Sequence, residues 1–208
     1  MKDPGEKFLR RYTTLAALSH MLLRRKITLL DPQSWEDRND AFFMEQYKLR
    51  NGLKSVLAIC FARGEETHHH WKCFSPGGDG VCIEFDKAKT VAGMGAQGVK
   101  CGPVEYRTIE QLRLKPPTID ELPFIKRWPY QNENEYRMIY EDAGKVLPLK
   151  ECDMELSWIE RIHLSPWMPV ALADAVKDMI RLIPDCKGKT LNHSKLVDYA
   201  QWKDLAGG

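Results

Sequence analysis

Two runs of apolar, β-branched and aromatic residues, Ser55–Ala62 (SVLAICFA) and Val81–Phe85 (VCIEF), bracket a link that holds His68, His69, His70, Trp71, Cys73, Phe74 and Ser75. Runs of that length and composition read as buried strands, and Gly77, Gly78 and Gly80 open the second. The chain is therefore committed to a sheet. Its connection carries aromatic and titratable groups where a polar turn would be cheaper to keep. Packing, metal binding or a substrate site must account for it.

The remaining segments supply further strands and several helices. A strand at Leu9–Tyr12 leads through Thr13 and Thr14, candidate N-caps, into an amphipathic helix over Leu15–Lys26 whose basic end suits a helix C-terminus. Ile27–Leu30 reads as a strand stopped by Asp31-Pro32, and a helix over Ala41–Arg50 ends at Asn51-Gly52. Glycine-rich Val91–Gly98 reads as loose. Val104–Thr108 reads as a strand, and Ile119–Lys126 as a short helix. Glu133–Glu141 alternates in period two, with Tyr136, Met138 and Tyr140 on one side and Glu133, Glu135 and Arg137 on the other. Trp158–Leu164 is a strand, Pro169 opens a helix over Val170–Leu182, and a last strand is expected near Lys195–Asp198. Strands and helices mix without regular alternation, and neither a repeat nor a low-complexity linker divides them. The expectation is one α+β domain over residues 1–208, with mixed or antiparallel sheets and flanking helices.

Charge narrows the partners. The formal net charge of +2 argues against a general electrostatic grip on nucleic acid, although it leaves room for a local patch. No apolar run approaches the roughly 18 residues of a membrane span. MKDPGEKFLRRY lacks the apolar core of a secretory leader, so a cytoplasmic protein is expected. The six cysteines, two of them inside strand-like runs, are expected as reduced thiols.

Three constellations carry chemistry. His68, His69 and His70 with Cys73 offer imidazole and thiolate ligands. Three adjacent histidines, however, cannot all face one ion from a regular element, so solvent-facing or capping roles are the plainer reading and no metal is expected. Glu133, Glu135 and Arg137 on one strand face pair two carboxylates with a guanidinium. One acid is then held ionised and the other has a raised pKa, which is equipment for gripping ribose hydroxyls or stabilising a cationic transition state. The wet face of a half-buried sheet is the plainer alternative. Arg10-Arg11-Tyr12 places guanidinium forks suited to phosphate beside an aromatic ring, or else is ordinary surface charge. Trp35 and Trp71 read as core anchors or as walls of a pocket. None of the GxGxxG, P-loop, HExxH or GxSxG motifs occurs.

In order along the chain, LRRYTTL, LLDPQSWEDRNDAF, CFARGEETHHHWKCFSPGGDGVCIEFD, NENEYRMIYE and IERIHLSPW resemble the bacterial and phage domain-of-unknown-function family 2971 over about residues 8 to 170. Arg38 stands where that family usually has proline, and Cys73-Phe74 where it usually has tyrosine. The layout is also similar to the ADP-ribosyltransferase superfamily: a first strand with arginine and an aromatic, a helix after it, and a late strand carrying E-x-E. That second resemblance implies a transferase fold that uses NAD. Arg10 or Arg11 would hold a phosphate or ribose, and Tyr12 and Trp71 would stack on the nicotinamide. Glu135 would be the catalytic carboxylate, Glu133 would orient the acceptor, and Arg137 would tune both acids. Ser75 would stand in, poorly, for the serine element of such enzymes. The implied partner is a macromolecular acceptor, protein or nucleic acid, in phage–host conflict or a toxin setting, with no membrane. Two readings from other classes stand beside it. One is a non-catalytic nucleotide- or protein-binding module built on Trp35 and Trp71. The other is a metal-dependent hydrolase or nuclease using His68–His70 and Glu135.

Overall fold

The computed structural model describes residues 7–207; residues 1–6, part of the stretch read above for a leader, lie outside the described residues. Strand β1 (Phe8–Thr14) runs into helix α1 (Leu15–Arg24), and β2 (Lys26–Leu30) leads to α2 (Arg38–Arg50). Next come β3 (Ser55–Ala62), α3 (His68–Phe74), β4 (Gly80–Asp86) and α4 (Lys87–Gly95). Strands β5 (Val99–Pro103) and β6 (Glu105–Arg107), helix α5 (Ile109–Leu114) and strand β7 (Ile125–Arg127) follow. The chain continues with β8 (Glu135–Asp142), β9 (Leu149–Asp153), β10 (Ile159–Leu164), α6 (Val170–Leu182), β11 (Thr190–His193) and α7 (Ala200–Asp204). The α+β class is as expected, with mixed strand pairing and flanking helices.

The described residues form two compact units, one of residues 7–25, 64–86 and 155–207, the other of 26–63 and 87–154. In the first, β4 lies between β1 and β10, antiparallel to both, and β11 adds to β10 in parallel. Leu9, Val81, Ile83, Phe85, Ile162 and Leu164 are buried along these strands, and α1 buries Leu18, Met21 and Leu22 at helical spacing. Thr14 closes the strand-to-helix junction, its Oγ1 accepting from the Ala17 N–H at 3.3 Å. Removing that acceptor by Thr14→Ala should cost about 1 kcal/mol in urea unfolding, with Thr14→Ser near neutral. An unchanged midpoint would show that the cap carries no stability.

In the second unit the strands run β9-β2-β3-β8-β5, all antiparallel, with β6 and β7 paired in parallel apart from them. Strand β3 pairs with β8 along its whole length, from Ser55 opposite Asp142 to Ala62 opposite Glu135. Met44 and Tyr47 of α2 pack on Val56, Ala58 and Ile139, with Trp35 and Phe124 against the cluster.

Several expectations need correction. The histidine link is a helix, α3, capped by the Thr67 hydroxyl, which accepts from the His70 N–H at 3.2 Å. Glycine-rich Val91–Gly98 is largely helical, within α4. Burial of Thr90 and Met94, four residues apart on one face, outweighs the poor propensity of its glycines. The helix expected at Ile119–Lys126 is one 3₁₀ turn, Leu122–Phe124, followed by β7; Pro123 would break a longer helix. Glu133 ends a 3₁₀ turn, Trp128–Glu133, and β8 begins only at Glu135. The last strand is Thr190–His193, where pairing to β10 fixes it, and Lys195–Asp198 is not a strand. All six cysteines are thiols. Among the described residues no helix is long and apolar enough to cross a membrane.

Candidate functional site

Strand register builds the first cluster. Arg10 of β1 stands opposite Glu84 of β4, which stands opposite Arg161 of β10. One pair further on, Tyr12 and His163 both stand opposite Cys82, so the period of two puts all six on one face. Arg10 Nη2 donates to Glu84 Oε1 at 2.7 Å and to Glu65 Oε2 at 3.2 Å, and Nη1 donates to the Gly64 carbonyl. Arg161 Nε and His163 Nε2 approach the other Glu84 oxygen at 3.3 and 3.6 Å. Burial pushes Glu84 up, but His163, Arg10 and Arg161 more than offset this and hold it below its ordinary carboxylate value. Arg11, one residue along β1, points to the opposite face from Arg10, so the adjacent arginines do not form one fork.

Helix α3 packs beside this face. Tyr12 stacks on His70 at 5.3 Å between centroids, and His70 stacks in turn on Phe74 at 6.2 Å. Trp71 meets Tyr12 edge-on at 5.2 Å, and its indole N–H donates to Glu66 Oε1 at 2.6 Å. Tyr12, His70 and Trp71 are enclosed; Phe74, 43% exposed, is the open end of the ladder. Ser75 is buried too, its hydroxyl donating to the Thr13 carbonyl at 2.7 Å, and so is committed to the backbone. Of the histidines, His68 and His69 are exposed while His70 serves the aromatic core.

The second unit holds a denser network. All five N–H groups of the fully buried Arg137 find acceptors. Nε and Nη2 donate to the two oxygens of Glu135 at 2.7 and 3.0 Å. Nη1 and Nη2 donate to the two oxygens of Asp40 at 2.9 and 2.7 Å, and Nη1 also donates to the Pro123 carbonyl at 2.7 Å. Asp40 is delivered by the first turn of α2, which Asp37 caps. Lys126 joins from β7, its Nζ 2.6 Å from Glu133 and 3.5 Å from both Asp40 and Glu135. Trp35 lies over the Arg137 guanidinium at 4.7 Å, and Tyr130 over Lys126 at 5.0 Å. Asn134, in the left-handed region at φ 43°, turns the chain from Glu133 into β8. The Tyr106 hydroxyl accepts from the Glu135 N–H at 2.8 Å.

Three carboxylates face two cations, and their environments separate them. Burial alone would raise Glu135, but Arg137, which faces both its oxygens, and Lys126 outweigh it and bring the carboxyl down to about 2. Burial raises Glu133, with Lys126 only partly opposing, and burial raises Asp40 in spite of Arg137. One acid held ionised beside acids that protonate more readily is the division expected of Glu133 and Glu135 from their spacing.

The expected site residues thus fall into two groups. Arg10, Tyr12, Trp71 and Ser75 belong to the first unit, and Glu133, Glu135 and Arg137 to the second. Sequence reasoning missed Glu84, Arg161, His163, Asp40 and Lys126. A glutamate inside the apolar run VCIEF was the available signal for Glu84. Lys126 and Asp40 are brought to Arg137 by chain folding alone.

No family model matches the chain, and no curated protein does. Among solved structures the chain is similar to DarT of Thermus sp. 2.9 in complex with ADP-ribosylated ssDNA, at 12% identity and a TM-score of 0.48, over 94% of this chain and 97% of that one. The same DarT in complex with NAD+ matches at 12% and 0.48 over 93% and 98%, and in complex with carba-NAD+ at 11% and 0.46 over 92% and 97%.

Proposed function

We propose that this chain is an ADP-ribosyltransferase-like enzyme that uses NAD to modify a macromolecular acceptor. The observation that carries the reading is Glu135: a carboxylate fixed by two hydrogen bonds from Arg137 and held ionised at about 2, beside a second acid whose pKa is raised. Departure of nicotinamide from NAD leaves an oxocarbenium-like ribose, and a preorganised anion stabilises that charge without reorganising at the moment of reaction. Glu133, the most exposed acid of the network with a side chain 12% exposed, would orient the acceptor. Arg10 does not fit the phosphate role given to it by resemblance, because its buried guanidinium is committed to Glu84, Glu65 and the Gly64 carbonyl. The stacking role fits less well, because the Trp71 and Tyr12 rings are enclosed; Phe74 is the ring of that ladder with a face to offer.

The test is nicotinamide release from NAD with single-stranded DNA, RNA and protein acceptors. Wild-type protein should release nicotinamide with one of them, and Glu135→Gln should reduce the rate by roughly 10²–10³ while circular dichroism stays native. No release with any acceptor would overturn the reading. A non-catalytic binding module is favoured by one observation, the near-complete enclosure of Glu135 at 4% exposure. In that case ligand binding survives Glu135→Gln and nicotinamide is never released.

A further inference from the structure

The second unit also contains a cavity of about 510 Å³ that none of the constellations above uses. That is the size of a small-molecule site. Its floor is apolar: Pro103, Val104, Phe124 and Ile125. The Phe124 ring lies against Gly102, where a Cβ would come within 3.1 Å of it, so the glycine is what lets the ring approach β5 this closely. Arg63 lines the same cavity, and its Nε is buried with no hydrogen-bond partner among the described residues.

The backbone of Arg63 is pinned. Its N–H donates to the Asn134 carbonyl at 2.8 Å and its carbonyl accepts from Asn134 Nδ2 at 3.2 Å. The Val104 N–H donates to the Glu135 carbonyl at 3.0 Å, so the cavity wall is tied to the strand that carries the carboxylate network. Glu105, Asp120 and Glu121 also reach the cavity. Two of these are engaged by Arg107, at 2.7 Å for Glu105 and 3.4 Å for Glu121. Asp120 is the third acceptor on the rim.

We infer that this cavity binds a nucleoside monophosphate unit, with phosphate on Arg63, ribose hydroxyls on the rim carboxylates and the base on the Phe124 floor. A guanidinium in the cavity wall selects a phosphate. The carboxylates disfavour a bare anion and require a ligand that also donates hydrogen bonds, as a ribose diol does. The apolar lining of Pro103, Val104, Phe124 and Ile125 suits a ring. The unit arrives either as a free nucleotide or within NAD. This inference does not rest on the transferase reading, because it assigns binding and no chemistry.

Calorimetric titration of the full chain with AMP, adenosine and inorganic phosphate tests it. AMP should bind, adenosine should bind at least tenfold more weakly, and inorganic phosphate should not bind. Arg63→Gln should weaken AMP by about tenfold or more and leave adenosine unchanged; unchanged adenosine binding also shows that the cavity is intact. Arg63→Lys, which keeps the charge and loses the fork, should fall between. Displacement of AMP by NAD would assign the unit to the dinucleotide, and no displacement would assign it to a free nucleotide. Absence of AMP binding, equal binding of AMP and adenosine, or an Arg63→Gln variant that binds AMP as wild type does would each overturn the inference. None of these outcomes depends on nicotinamide release.

Discussion

Arg137→Leu should lower stability by about 3–5 kcal/mol, the typical cost of removing one partner from a buried ion network. The variant keeps Asp40 and Glu135 buried, each 4% exposed, with Lys126 at 3.5 Å as the remaining cation for both. It also leaves the Pro123 carbonyl without the N–H that reaches it at 2.7 Å. Domains commonly have about 5–15 kcal/mol in total, so a large fraction of the protein would unfold in mild urea. In a chain of this size the melting temperature should fall by roughly 10 °C. Replacing Arg137 together with the two acids it engages, Asp40→Leu, Glu135→Leu and Arg137→Met, leaves the Lys126–Glu133 pair and should recover much of the loss, since the penalty lies in the orphaned charges. A single variant within 1 kcal/mol of wild type would show that the network does not hold this unit together.

Acid should reveal the same network. Glu135 falls from its ordinary 4.5 to about 2, which corresponds to a contribution of order 3 kcal/mol. A depressed carboxylate contributes stability that is present above its unfolded value and lost as pH falls through the folded one. Its loss therefore spans the window from about 4.5 down to about 2. Glu133 and Asp40 act with the opposite sign. Raised by burial, they contribute stability that is present below their unfolded values and lost as pH rises through their folded ones. Stability should accordingly rise as pH drops from neutrality toward their ordinary range, then fall steeply below about 4.5. Urea midpoints from pH 7 to 2 measure this, and Glu135→Gln should flatten the acid limb. A variant with an unaltered acid limb would remove Glu135 as its source.

Local signals worked where the local pattern also decides burial. Ser55–Ala62 is a strand with the expected bounds, because its continuous apolar run is buried almost throughout and pairs with β8 over its full length. Thr14 caps α1 because a hydroxyl before an amphipathic run has a backbone N–H to accept from. The Glu133, Glu135 and Arg137 grouping was legible in the period-two pattern, although Glu133 reaches it from a turn. Segments whose order depends on distant partners were not legible. Polar Leu149–Asp153 becomes a strand only by pairing with β2, and α4 holds only because Thr90 and Met94 are buried.

By itself the sequence determined the α+β class, the main strands, the caps, and the grouping of two carboxylates and an arginine at the start of one late strand. Those follow from periodicity and from short-range hydrogen bonding, which act within a few residues. Tertiary structure alone decided which charges meet. Asp40 is far in the chain from both Lys126 and Arg137, and Glu84 gains Arg10 and Arg161 only through strand register. It also closed the rings of Tyr12 and Trp71 into the core, placed Arg63 in a cavity wall, and left its Nε without a hydrogen-bond partner among the described residues. Burial and pairing set the charge state of each acid, and both are properties of the folded chain.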